Sequence, residues 1–158
     1  MKSIGWKDIA ELAGMAAIVL SLFLVAYELR QNTLMMRAQT RDSMTTKQMI
    51  FSEWFATSRY AADVAIQGRN GIPETGTAES VSYRFMIHGI LREWENSHYQ
   101  YRQGLFDQVE FEPRKLRWKF NMQSQGYREI WAETRETFSP EFRDEIDRIV
   151  EENAAERR

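Results

Sequence analysis

Residues 9–29, IAELAGMAAIVLSLFLVAYEL, constrain this chain more than any other stretch. Between Glu11 and Glu28 sixteen consecutive residues carry no formal charge, and Val, Leu, Ile and Phe dominate their second half. A helix that crosses the hydrocarbon core of a bilayer needs about 20 predominantly apolar residues. The run reaches that length when the two glutamates sit at the headgroup levels. From Met15 to Ala26 Ser21 is the sole polar side chain, so the helix is apolar all round and has no polar face to turn to water. The expectation is one transmembrane helix over residues 9–29, within a membrane anchor of residues 1–30.

Two other readings compete. A cleaved signal peptide has a charged start, an apolar run and a small-x-small exit. The exit here is LVAYELRQN, where Leu24 stands two positions before Ala26, which makes a poor cleavage site. A buried helix of a water-soluble domain would show a polar stripe on its outer side, and none is present.

Small residues line one side of the span. Ala13, Ala17 and Ser21 recur every four residues, as do Ala10 and Gly14. In lipid, helices associate by close packing rather than by hydrophobic burial, and small residues let backbones approach. The stripe predicts packing against another helix, from a second copy or from a different membrane protein. Trp6 and Tyr27 flank the span as interfacial anchors.

Removing the span leaves roughly 130 residues, enough for one modest domain. With no cysteine there is neither a disulfide framework nor thiolate chemistry. The net charge of −2 gives no reason to expect nucleic acid as a partner. Five Trp and an aromatic share of 13% argue for a packed core rather than a disordered tail. Lys2 and Lys7 precede the span, while Arg30, Arg37, Arg41 and Lys47 follow it. By the positive-inside rule this favours a cytoplasmic C-terminal domain.

Between Gly14 and Gly68 there is no Gly and no Pro. Helices stop at such breakers, so the span is expected to continue as one long helix to about Ile66, within a stalk and core element over residues 31–67. Asn32, Thr33 and the Thr45–Thr46 pair are its weak points. Met44, Phe51, Phe55, Ala62 and Ile66 form a core-facing stripe near its end, while Met35, Met36 and Met49 suit partial burial. The segment GRNGIPETGT, residues 68–77, is a loop.

A helical soluble domain is expected over residues 77–155. Thr77 caps a helix that stops at Gly104. Along it run Tyr83, Ile87, Ile90, Leu91, Trp94, His98, Tyr101 and Leu105, a continuous apolar face that pairs antiparallel with residues 44–66. Asp107 and Glu110 cap a short turn. Pro113 is expected to interrupt it and to start a helix that Gly126 breaks. Tyr127, Ile130, Trp131 and Thr134 mark another helix. Ser139 followed by Pro140 starts the last, with Phe142, Ile146, Ile149 and Val150 inward and a frayed, solvated end. The fold class is therefore all-α, an N-terminal transmembrane helix continuing into a long helix, then an antiparallel helical bundle or hairpin.

Candidates for chemistry are few. Glu95 and His98 make an E-x-x-H on a helix, the unit from which helical bundles build di-metal sites. A single copy needs further ligands, such as Glu53, and the plainer reading of His98 is a hydrogen-bonded core histidine. Residues 114–120, RKLRWKF, set Arg114, Lys115, Arg117 and Lys119 around Trp118 and Phe120. That combination suits an anionic membrane surface; its plainer reading is an amphipathic helix with a basic polar face. No G-x-S-x-G elbow and no phosphate-binding G-x-x-x-x-G-K-[ST] loop occurs.

Several stretches, taken together and in order, resemble a widespread group of small bacterial proteins. They are the apolar helix leading into YELRQNT (27–33), Arg37–Ala38, HYQYRQGLFD (98–107) and FSPEFRDEID (138–147). Members of that group carry one N-terminal span and an all-helical remainder, and no activity is assigned to them. The resemblance implies that architecture and a bacterial origin, and it carries no catalytic residues.

The resulting expectation is a non-enzymatic protein of the bacterial inner membrane, single-pass and without a cofactor. It would act by association with its own copies or with other membrane-protein subunits, its remaining partners being membrane lipids. No small-molecule substrate is indicated. The alternatives are a metalloprotein at Glu95 and His98, or a lipid-binding module using the 114–120 segment.

Overall fold

The computed structural model describes residues 5–157; Lys2, used above for orientation, lies outside them. The described residues form six α-helices: α1 (Trp6–Thr57), α2 (Arg59–Gln67), α3 (Ala78–Arg102), α4 (Gln108–Asn121), α5 (Gln125–Thr134) and α6 (Pro140–Ala155). Single 3-10 turns occupy Gly68–Asn70 and Arg135–Thr137. The chain divides after Gln39 into two units.

The first unit is helical from Trp6 onward, and every described residue in it is exposed. Its most apolar 18-residue window has a mean hydropathy of 2.3, and none of that window is buried within the chain. The hydroxyl side chains in the span and just beyond it fold back on the helix. The Ser21 hydroxyl donates to the Ala17 carbonyl at 2.9 Å and the Thr33 hydroxyl to the Leu29 carbonyl at 2.9 Å. A helix meets its backbone hydrogen bonds internally, and these hydroxyls add no unmet donor.

The helix passes Asn32, Thr33 and Thr45–Thr46 without a break and ends at Thr57, short of the Ile66 expected from the sequence. Ser58 is the cause. It adopts an extended conformation (φ −108°, ψ 104°), and its Oγ accepts the Ala61 N–H at 3.2 Å. A serine can end one helix by capping the next, with no Gly or Pro involved. The restart also shifts the helical phase. Ala61 and Val64 turn inward, and Ile66, expected on the core face, is 62% exposed. Upstream, Met44 is buried and Phe51 and Phe55 are half-buried, while Met35, Met36 and Met49 are exposed.

The second unit is organised on α3. Thr77 caps it, its Oγ accepting the Ser80 N–H at 3.1 Å. Gly104 closes it in the left-handed region at φ +69°. There the Gly104 N–H reaches the Tyr101 carbonyl and the Leu105 N–H the Gln100 carbonyl, the doubled closure that a glycine in this conformation permits. The helix runs antiparallel to its predecessors. Tyr60 bonds Ser82 through their hydroxyls at 3.2 Å, and Phe51 packs beside Gly89 further along.

Three boundaries differ from the sequence expectation. Pro113 lies inside α4 instead of interrupting it. It sits near the N-terminal end, and the carbonyl it leaves without an N–H is that of Val109, a residue 85% exposed to solvent. Gly126 is not a break but belongs to the first turn of α5. A Cβ there would overlap the Gly68 carbonyl oxygen and the Tyr83 ring and hydroxyl, so glycine is required for close approach. The last turns of α6 are not frayed: Asn153 is buried, and its Nδ2 donates to the Lys119 carbonyl at 2.8 Å.

Aromatic rings fill the space between α3, α4, α5 and α6. Trp94 and Trp118 stack with centroids 5.4 Å apart, Tyr101 and Phe111 stack at 4.1 Å, and Phe142 meets Trp118 and Trp131 edge-on. Trp118, Phe142, Ile146 and Ile149 are essentially inaccessible. Each ring pair adds to the stabilisation that its buried area supplies.

Candidate functional site

Glu95 and His98 lie one turn apart on α3 but do different jobs. Glu95 accepts the Ser139 N–H at 2.7 Å and an Arg92 N–H at 2.8 Å. It thereby tethers the start of α6 to α3. Burial alone would raise its pKa, but these hydrogen bonds outweigh burial and hold it below the usual carboxylate range. His98 lies between the rings of Phe111 and Phe142, with centroids 6.2 and 5.9 Å away. Burial pushes its pKa down, against the opposing pull of Glu145, so the ring is neutral at pH 7. Glu53 is exposed on α1. No cluster of three or more His, Cys, Asp or Glu side chains arranged to hold a metal occurs among the described residues.

The basic segment 114–120 is mostly turned inward. Arg114 donates to Glu93 at 2.7 Å and to Ser97 at 3.1 Å. Lys115 pairs with Glu145 at 2.7 Å, and Lys119 with Glu156 at 2.6 Å and Glu152 at 3.3 Å. Trp118 is 1% exposed, so it is a core residue and not a surface contact. Helical period explains the placement: Phe111, Trp118 and Met122 share a face, and all three are buried. What remains outward is Arg117 with Leu116 and Phe120.

The small residues Ala10, Ala13, Gly14, Ala17 and Ser21 all lie on α1 with exposed side chains. A Cβ added at Gly14 would meet nothing within 4 Å. This face is open to a neighbouring helix.

One feature went unread in the sequence. Within the second unit, a groove runs between residues 41–55 of α1 and helices α3 and α4. A cavity of about 360 Å³ is lined by Arg41, Thr45, Glu110, Arg114 and Arg117. It adjoins one of about 490 Å³ walled by Phe51, Phe55, Ile90, Trp94 and Tyr127, with Ser52, Asn121 and the Arg114-paired Glu93 also in its lining. Gln48 and Arg117 line both. The α1 side is supplied by positions 41, 45, 48, 51, 52 and 55, three to four apart along one face apart from the adjacent pair 51–52. That spacing is a helix seam; hydrophobic periodicity picks out Phe51 and Phe55 but passes over the polar Arg41, Thr45, Gln48 and Ser52.

No protein-family model, curated protein or solved structure matches this chain.

Proposed function

We propose that this chain is a single-pass, membrane-anchored helical protein of the bacterial inner membrane that acts by association rather than by catalysis. It would work as a homo-oligomer or as an accessory subunit of a larger complex. The observation that carries the reading is the apolar run of the first unit, residues 9–29: it is long enough to cross a bilayer with a glutamate near each end, and none of its side chains is buried within the chain. Exposing such a surface to water is strongly unfavourable, and lipid or another protein removes that cost. The open face at Ala13, Ala17 and Ser21 supports association within the membrane. The cations at Arg30, Arg37, Arg41 and Lys47 favour placing the helical domain on the cytoplasmic side. The resemblance of YELRQNT, HYQYRQGLFD and FSPEFRDEID to small bacterial single-span proteins agrees with this location.

The test is extraction from native membranes in mild detergent, followed by native mass determination and identification of every chain in the peak. A multiple of 18.7 kDa is expected for self-assembly, and a larger mass containing foreign chains for an accessory subunit. A monodisperse 18.7 kDa monomer with nothing co-purifying would count against both.

A further inference from the structure

We infer that the groove between residues 41–55 of α1 and α4 binds a single-chain anionic amphiphile, a long-chain carboxylate. Its head would lie at Arg117 and its tail along Phe51, Phe55, Ile90 and Trp94. The inference is independent of membrane anchoring, because every residue it uses lies beyond Gln39, in the second unit.

Charge accounting defines the head. Three guanidiniums line the first cavity: Arg41, Arg114 and Arg117. Two carboxylates occupy two of them. Arg41 Nε lies 3.0 Å from Glu110 Oε1, and Arg114 Nη1 lies 2.7 Å from Glu93 Oε1. Arg117 has no carboxylate partner among the described residues and is exposed where the two cavities meet. A guanidinium presents a planar fork that takes a carboxylate bidentately. One uncompensated fork matches one negative charge, which favours a carboxylate over a phosphate dianion. The Gln48 amide lines the same junction and offers a neutral donor.

Rigid rings define the tail. Trp94 is held by stacking on Trp118 at 5.4 Å and on Tyr127 at 5.8 Å. It therefore forms a fixed wall opposite the half-buried Phe51 and Phe55. Each cavity lies within the size range of small-molecule sites. A small anion would use only the first and a plain hydrocarbon only the second, whereas an amphiphile fills both.

The test is native mass spectrometry of the full chain in non-ionic detergent, with palmitate, hexadecanol and lysophosphatidic acid as probes. One palmitate per chain is expected. Hexadecanol, with the same chain length and no charge, should bind roughly tenfold more weakly or worse. Arg117→Glu should lower palmitate occupancy by a similar factor, and so should Ser52→Trp, which fills the second cavity. Arg59→Glu, at a 95%-exposed arginine off the groove, should leave it unchanged. Arg117 is exposed, so its substitution should leave the circular dichroism melt unaltered. Absence of a palmitate adduct, or equal occupancy by hexadecanol or in Arg117→Glu, would overturn the site. Preference for lysophosphatidic acid would overturn the carboxylate head.

Discussion

Glu93 and Arg114 join α3 to α4 through a 2.7 Å ion pair whose side chains are only 9% and 11% exposed. Ser97, wholly buried, adds a third member to the network. Removing one partner strands a buried charge, which typically costs about 3 kcal/mol or more, whereas replacing both by apolar residues is often near neutral. Glu93→Ala is therefore expected to lower stability by about 3 kcal/mol. The double variant Glu93→Leu/Arg114→Met should recover most of that loss. Chemical denaturation of the full chain in detergent measures both, and a double variant as unstable as the single one would contradict the account.

Gly126 offers a sharper steric test. Its missing side chain lets α5 lie against the Gly68 carbonyl and Tyr83. A backbone carbonyl cannot rotate out of the way as a flexible side-chain end can. Gly126→Ala is expected to destabilise by about 3 kcal/mol, at the upper end of overpacking costs. Gly14→Ala, which meets open space, should stay within about 0.5 kcal/mol. Thermal melts of the two variants side by side decide the matter.

The Gly126 and Ser58 cases show where sequence reading stops. Thr77 and Gly104 were legible because capping is local and each residue meets its partner within a few positions. The Ser139–Pro140 start was legible because proline at the first helical position is pre-set for a helix, with no side-chain cap from Ser139. The inward face of α3 was legible because Tyr83, Ile87, Leu91 and Trp94 keep one period without interruption. Ser58 was not, since a serine between Thr57 and Arg59 differs in no local way from a helical surface residue. Gly126 was misread because a glycine needed for close approach looks the same as one that ends a helix. Arg114, Lys115 and Lys119 looked like an outward basic face because Glu93, Glu145, Glu152 and Glu156 lie 21 to 37 positions away. Pairing at that range is set by tertiary packing.

Protonation of His98 should couple stability to pH. Burial holds its folded pKa below the unfolded value, with Arg102 and Lys115 acting in the same sense and Glu145 and Glu141 opposing. Such a base takes up a proton in the unfolded chain before it does so in the folded one. Its contribution is complete above the unfolded pKa of about 6.5 and is lost as pH falls from there toward the folded pKa. His88 shifts in the same direction, chiefly through burial and then Arg92. The depressed carboxylates Glu95, Glu141 and Asp147 titrate lower still. The melting temperature should therefore fall between pH 7 and pH 5, less steeply in His98→Gln and least in His88→Gln/His98→Gln. An identical fall in the double variant would assign the effect elsewhere.

Ser58 caps α2 through a single 3.2 Å hydrogen bond to the Ala61 N–H. Ser58→Ala removes the acceptor and should cost about 1 kcal/mol. Ser58→Asp retains an acceptor and should cost less. Equal losses in the two variants would show that the cap's side chain is not what holds the junction.

The open face of the span makes the most direct claim about assembly. Residues on a helix turn by about 100° each, so Ala13, Ala17 and Ser21 cluster on one side while Val19 lies nearly opposite. Leucine at Ala17 and Ser21 keeps the helix apolar and long enough to span, yet fills the space a close-packed neighbour would need. Membrane association should survive in Ala17→Leu/Ser21→Leu, while the native mass in mild detergent falls toward 18.7 kDa. Val19→Leu adds bulk on the far side and should leave the mass unchanged. If the assembly kept its mass in the double variant, the small-residue face would not be the contact, and association would have to be sought in the helical domain.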